Sequence, residues 1–203
     1  YPNARAAANA THPSWYTLLF SRHSLWWHRF SQRAGARTAL PRPLQALKAA
    51  GYKLHVRSAA GLNYYGVADA VFGTDRSRAD SFVDAVGCYH AGHERRRDRD
   101  QCAIDGAVNV VQKARETGQK TFLLLLFDAT HYPYDPPDDP AFKPVANEAA
   151  LRAGAFEAID HVRNRYRSAL HAIDRHFGTL EDALAPLRER GVITVVTGDH
   201  GEE

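Results

Sequence analysis

Thr11 opens the run Thr11-His12-Pro13-Ser14-Trp15, which leads into the apolar stretch Tyr16-Thr17-Leu18-Leu19-Phe20. Pro13 suits the first turn of a helix, and this places Thr11 or His12 near its cap. A hydroxyl there meets free N–H groups and the positive end of the helix dipole, where phosphate-like anions also gather. Bound to a metal it is a competent nucleophile; by itself it is an ordinary N-cap. Asp199 and His200 stand side by side between Gly198 and Gly201. A hard oxygen next to an imidazole suits Zn²⁺ or a similar divalent ion, although an Asp-His pair also caps turns. His131 sits in a Pro- and Tyr-rich stretch with Tyr132, Pro133 and Tyr134. It could steady substrate oxygens or protonate a leaving group; the plainer reading is one surface histidine among 11. Asn9-Ala10-Thr11 also matches a glycosylation sequon, which would not be used if Thr11 were buried at a metal.

These residues need elements that bring them together. Residues 121–128 and 192–197 are short continuous apolar runs, the pattern of parallel strands covered on both faces. Residues 52–58 alternate apolar and polar, which predicts a strand with one wet face. Helical patterns precede each strand. Residues 43–50 end at Gly51, residues 97–117 end at Gly118, and residues 149–177 end at Gly178. Thr179 with Asp182 reads as the start of a further helix, perturbed at Pro186 and running to Gly191. Residues 59–97 and 128–144 read as loops, with Arg95-Arg96-Arg97 as a solvated face. The order predicts one α/β domain over 1–203: an open, mostly parallel sheet with helices on both faces. Ligands in such sheets bind beyond the carboxyl ends of the strands, where Asp128–His131 and Asp199–His200 fall.

Composition narrows the classes. The 203 residues are 44% hydrophobic, enough for a sizeable core. A net charge of +3 is too mild to imply a nucleic-acid polymer as partner. Two cysteines exclude a disulfide scaffold; Cys88 and Cys102 are either a disulfide or two free thiols. No apolar run reaches the roughly 18 residues of a membrane helix. With no Met and a first residue Tyr1, the chain is expected to be a piece of a longer protein.

Taken together, the motifs resemble the alkaline-phosphatase superfamily, in its sulfatase-like hydrolase and transferase branch. Thr11-His12-Pro13-Ser14 is similar to the sulfatase Cys-x-Pro-Ser-Arg turn. Residues 44–52 resemble the helix-to-strand step that follows, and residues 126–134 the substrate-side His-x-Pro loop. Tyr166, Asp174 and Gly178, then residues 195–202, resemble the helix leading to the family's Asp-His-Gly-Glu metal strand. Two departures stand out. Thr11 cannot become formylglycine, and Trp15 replaces the signature Arg. Both argue against sulfate-ester hydrolysis and point to the phosphoryl-type members, such as membrane-anchored phosphoethanolamine and glycerophosphate transferases.

The resemblance implies a metal-dependent hydrolase or transferase that acts on phosphate esters through a covalent phospho-Thr. The alternatives are a sulfuric ester hydrolase and a non-catalytic homologue that binds lipid or a partner. Thr11 and His131 are the implied catalytic residues, His131 and Tyr134 the substrate contacts, and Thr11, Asp199 and His200 the metal ligands. The metal is a divalent ion: Zn first, with Mn, Mg or Ca as alternatives. A further acidic ligand is expected on a strand before Tyr1 and a further His beyond Glu203, so the 203 residues alone should be poorly active. The implied substrate is a small-molecule or lipid head-group phosphoester. Membrane contact would come through a region before residue 1, at an extracytoplasmic, periplasmic-face location.

Overall fold

The computed structural model describes residues 5–31, 40–154 and 158–201. Three parallel strands form the sheet: β1 (Lys53–Ser58), β2 (Ser81–Val83) and β3 (Thr121–Leu126), in the order β2-β1-β3. β1 lies in register with β3 from Lys53 opposite Thr121 to Ser58 opposite Leu126, so both chains leave the sheet at the same edge.

The alternation along β1 sorts its side chains between two cores. Leu54 and Val56 are buried against α1 (Thr11–Phe20), α3 (Arg42–Ala49) and α4 (Val67–Phe72), with Trp15, Tyr16, Leu19, Leu44 and Phe72. A short helix α2 (Trp27–Ser31) adds Trp27 to this core. On the other face, Leu123 and Leu125 of β3 meet Ile104, Ala107 and Val111 of α6 (Arg96–Thr117) and Leu180 of α8 (Ile159–Leu184). Helices therefore cover both faces, as the order of elements predicts. The face of β1 expected to be wet lies beneath α6. A Cβ at Gly106 would come within 2.7 Å of the Arg57 guanidinium, so glycine is what lets that side chain lie flat under the helix.

Several expectations need correction. Residues 59–97 are not one loop but hold α4, β2 and α5 (Ala85–His90). Cys88 of α5 is bonded to Cys102 of α6 in a disulfide, which closes the alternative of free thiols. Gly178 does not break its helix. α8 runs through it, and Thr179 donates back to the Arg175 carbonyl (3.2 Å) instead of capping. One glycine costs only about 1 kcal/mol of helix propensity, less than the packing of α8 returns. The helix also starts later, after a separate α7 (Glu148–Arg152). Pro186 falls in a closing 3₁₀ turn, Ala185–Arg190.

The largest correction is residues 192–197. They join no strand among the described residues, and Ile193, Val195 and Val196 are 92, 80 and 73% exposed. Val192, Thr194 and Val196 line a shallow groove with Phe177, Leu184 and Arg188. The run is apolar enough for a buried strand, but burial needs a hydrogen-bonded neighbour on each side.

Candidate active site

The carboxyl edge of the sheet carries the chemistry-bearing residues. After β1 the chain turns through Tyr65, whose ring packs at a tilt against His12 with centroids 4.1 Å apart. That contact places the start of α1 over the sheet edge. Ala10, not Thr11, is the N-cap, and it offers no side-chain acceptor. Thr11 is thus not consumed in capping, contrary to the plain reading of its position. Ser14, one turn on, is buried with its Oγ unpartnered.

Thr11 Oγ1 lies 3.3 Å from His200 Nε2, across 189 residues of sequence. His200 Nδ1 is 2.7 Å from the Gly201 carbonyl, which can only accept, so the proton of the neutral ring sits on Nδ1. This leaves the Nε2 lone pair facing the threonine hydroxyl, which donates to it. Asp199 Oδ2 is 3.6 Å from the same nitrogen, and Asp199 Oδ1 accepts the His200 N–H (3.1 Å). A hydroxyl, an imidazole lone pair and a carboxylate oxygen thus converge, and a backbone carbonyl fixes the ring tautomer as metal-binding histidines require. This donor set fits a divalent cation. Among the described residues no third His, Cys, Asp or Glu joins Asp199 and His200. Glu202 lies outside the described residues.

His131 stands at the same edge, in the loop after β3. Its ring is exposed, and Nδ1 donates to the Tyr132 carbonyl (2.8 Å). Nε2 is therefore the ring nitrogen left to meet a ligand. Tyr134 is buried, packed edge-on against Tyr132 (5.7 Å) and Tyr166 (5.3 Å). Tyr132 is the half-exposed ring of the pair; its hydroxyl donates to the Leu151 carbonyl (2.8 Å).

Sequence reasoning missed what holds this loop. The arginines at the start of α6 are not a solvated face. Arg96 Nε donates to Asp128 (3.0 Å), and its Nη1 reaches the carbonyls of His131 (3.3 Å) and Tyr132 (2.9 Å). Arg95 pairs with buried Asp135 at 2.9 Å, and Arg99 spans from the Ala59 carbonyl (3.0 Å) to Asp128 (3.5 Å). From α8, buried Arg165 donates to the carbonyls of Pro133 (2.8 Å), Tyr134 (2.9 Å) and Ala146 (3.1 Å). Beneath them Asp100 accepts the backbone N–H groups of Asp128 (2.7 Å) and Ala129 (3.0 Å). Burial pushes the Asp100 carboxyl up to about 7, overriding those two hydrogen bonds, and burial also raises Asp128. Asp100 was visible in principle: it shares the apolar stripe of Ala103, Ile104, Ala107 and Val111, where a carboxylate needs a reason.

The family profile described as Sulfatase matches residues 1–203. Among solved structures, the lipoteichoic acid synthase LtaP of Listeria monocytogenes superposes with a TM-score of 0.62 at 17% identity. The match covers 92% of this chain and 42% of the synthase, and at that identity the likeness is one of fold. A Vibrio parahaemolyticus protein of the alkaline phosphatase superfamily superposes at 0.47 and 14% identity, over 74% of this chain and 33% of its own. No curated protein matches. Since the profile spans every residue that carries the edge just described, the chain belongs to the Sulfatase family.

Proposed function

We propose that Thr11 is the nucleophile of a phosphate-ester hydrolase or transferase, acting at the site it forms with Asp199 and His200. The observation that carries this reading is the approach of Thr11 Oγ1 to His200 Nε2 at 3.3 Å, with the histidine tautomer fixed from behind. Thr11, Asp199 and His200 would hold a divalent ion, Zn first by donor type, which lowers the hydroxyl pKa and neutralises phosphoryl charge. Thr11 Oγ1 bonds to phosphorus in line, its proton passing to solvent, and the bond from phosphorus to the leaving oxygen breaks. His131, when protonated, offers Nε2–H to that oxygen, because Nδ1 is already committed to the Tyr132 carbonyl. The positive end of the α1 dipole, where Thr11 stands, favours anionic phosphoryl oxygens. Water or an acceptor hydroxyl then attacks phosphorus and releases Thr11.

A phosphodiester with a lipid or small-molecule head group is the substrate we infer. The disulfide supports an extracytoplasmic location. A sulfuric ester is the second reading. The family description favours it, and a nucleophile that cannot be oxidised to formylglycine opposes it.

The test is turnover of bis-p-nitrophenyl phosphate by the whole protein with added Zn²⁺ or Mn²⁺, with p-nitrophenyl sulfate run in parallel. Thr11→Ala should abolish diester turnover, and acid-quenched protein should carry phosphate on Thr11 by mass spectrometry. Full activity in Thr11→Ala would refute the nucleophile. Absence of both activity and metal uptake in the wild type would favour a non-catalytic homologue.

A further inference from the structure

Charge is divided unevenly along this chain. Residues 1–68 hold nine Lys and Arg and no Asp or Glu, while the remainder holds 17 cations against 23 carboxylates. A net charge of +3 conceals this asymmetry, which is a sign of attraction to an extended anionic partner. Some of the nine are spent internally. Lys48 and Lys53 pair with Asp80, and Arg57 donates to the Val56 carbonyl and to Ser81 beneath α6. Arg22 and Arg29 are exposed, and neither takes part in an ion pair among the described residues.

Between these two arginines the chain makes a 3₁₀ turn, Ser24–Trp26, that displays apolar side chains outward. Leu25 is 82% exposed and Trp26 53% exposed, with the Arg29 guanidinium 5.6 Å from the Trp26 ring. The turn is fixed rather than loose. Ser24 Oγ donates to the Ala7 carbonyl (2.9 Å), and His23 Nδ1 accepts the Leu25 N–H (3.3 Å). Trp27 faces inward and packs against His12, Tyr16 and Phe30, which forces its neighbour Trp26 out. His12 carries the aromatic chain on to Tyr65, 58% exposed, and then to Tyr64, 71% exposed. An apolar and aromatic rim with arginines beside Leu25 and Trp26, unpaired among the described residues, is the composition of a surface that enters the head-group layer of a membrane.

We propose that this shoulder, centred on Leu25, Trp26, Arg22 and Arg29 and extended by Tyr64 and Tyr65, docks on the surface of an anionic lipid bilayer. The arginines meet lipid phosphates, Trp26 and Leu25 bury among the upper acyl carbons, and the rim places the start of α1 toward the membrane. A polyanion such as RNA would satisfy the arginines but would leave Leu25 without a role. The proposal stands on this surface alone and does not require Thr11 to be a nucleophile.

The test is co-sedimentation of the full chain with vesicles of phosphatidylcholine, with and without phosphatidylglycerol, followed also by tryptophan fluorescence. Trp15 and Trp27 are buried, so a blue shift on binding reports Trp26. Partitioning should favour the anionic vesicles about tenfold or more and fall in high salt. Leu25→Ser/Trp26→Ser and Arg22→Gln/Arg29→Gln should each weaken it about tenfold, with unchanged circular dichroism and thermal midpoint. Thr11→Ala should bind vesicles like the wild type. The proposal is overturned by equal binding to neutral vesicles, by no binding, or by binding that neither double variant weakens. It is also overturned by equal retention of the wild type and Leu25→Ser/Trp26→Ser on heparin with no vesicle binding, or by a self-association that shifts Trp26 emission without lipid.

Discussion

Asp100→Asn isolates one buried carboxyl whose protonation should register in stability. In the wild type this carboxyl is raised from an ordinary Asp to about 7, burial being the main cause. The folded chain then holds a proton that the unfolded chain releases near pH 4. Stability from this group is fully present below the unfolded pKa and is lost as pH rises toward 7. From pH 5 to pH 8 the relevant span is about two units, or roughly 3 kcal/mol at 1.36 kcal/mol per unit. Asparagine has nearly the same shape and does not titrate. It keeps one acceptor for the N–H groups of Asp128 and Ala129 and turns an NH₂ toward the other, at a cost of about 1–2 kcal/mol. The wild type should therefore be more stable by about 1–2 kcal/mol at pH 5 and less stable by about 1–2 kcal/mol at pH 8. His12, His55 and His176, lowered by burial, act in the opposite sense, but they are present in both proteins and cancel in the difference. Urea unfolding at pH 5, 6, 7 and 8, read by tryptophan fluorescence, gives that difference directly. A gap that is constant across pH would refute the reasoning. Such a constant gap would show that the two backbone donors hold Asp100 ionised in spite of its burial, because the unfolded Asp is already ionised throughout this range.

Two further perturbations address the same helix start. Arg96→Ala removes a side chain that spans Asp128 and the His131 and Tyr132 carbonyls, so kcat should fall about 10- to 100-fold by misplacing His131. The loss should be larger for alkyl than for p-nitrophenyl leaving groups, and Arg96→Lys, a single point donor, should rescue little; equal loss for both leaving groups would count against positioning. Reducing Cys88–Cys102, or replacing both by Ser, should cost about 3 kcal/mol in urea unfolding for a closed loop of this length.

Legibility followed the range over which each signal acts. β1 and β3 were readable because their apolar patterns report burial that the described chain itself supplies, through α1, α3 and α4 on one face and α6 and α8 on the other. Residues 192–197 carry the same signal, but an apolar run states only that a strand can be buried, not which strand lies beside it. Gly178 and Thr179 misled because local stop and cap signals are worth about 1 kcal/mol, and the amphipathic face of α8 outweighs that. Thr11, Asp199 and His200 were legible as a set only through motif order. Nothing in spacing says that residues 189 apart meet at 3.3 Å. Arg95-Arg96-Arg97 reads as solvated because a charge run carries no record of the carboxylates and carbonyls a distant loop will offer it.

The two halves of the candidate site are held to different degrees, and this bears on which half governs catalysis. His131 stands on a loop gripped by Arg95, Arg96 and Arg99 from α6, by Arg165 from α8, and by Asp100 from below. Each of these reaches a backbone atom or a buried carboxylate of residues 128–135, so the loop cannot shift without breaking several bonds together. Thr11, Asp199 and His200 are joined by the Thr11–His200 hydrogen bond, the His200 N–H to Asp199 and one close approach, and the segment leading to Asp199 pairs with no strand among the described residues. If His131 and Thr11 play the roles proposed above, binding at the Thr11 side is what orders the site. Cation and phosphoryl oxygens, by filling the gap among Thr11, Asp199 and His200, would draw them to the geometry that His131 already has. The free energy for that ordering comes out of ligand affinity, so substitutions that stiffen the approach to Asp199 should tighten metal binding before they change the chemical step.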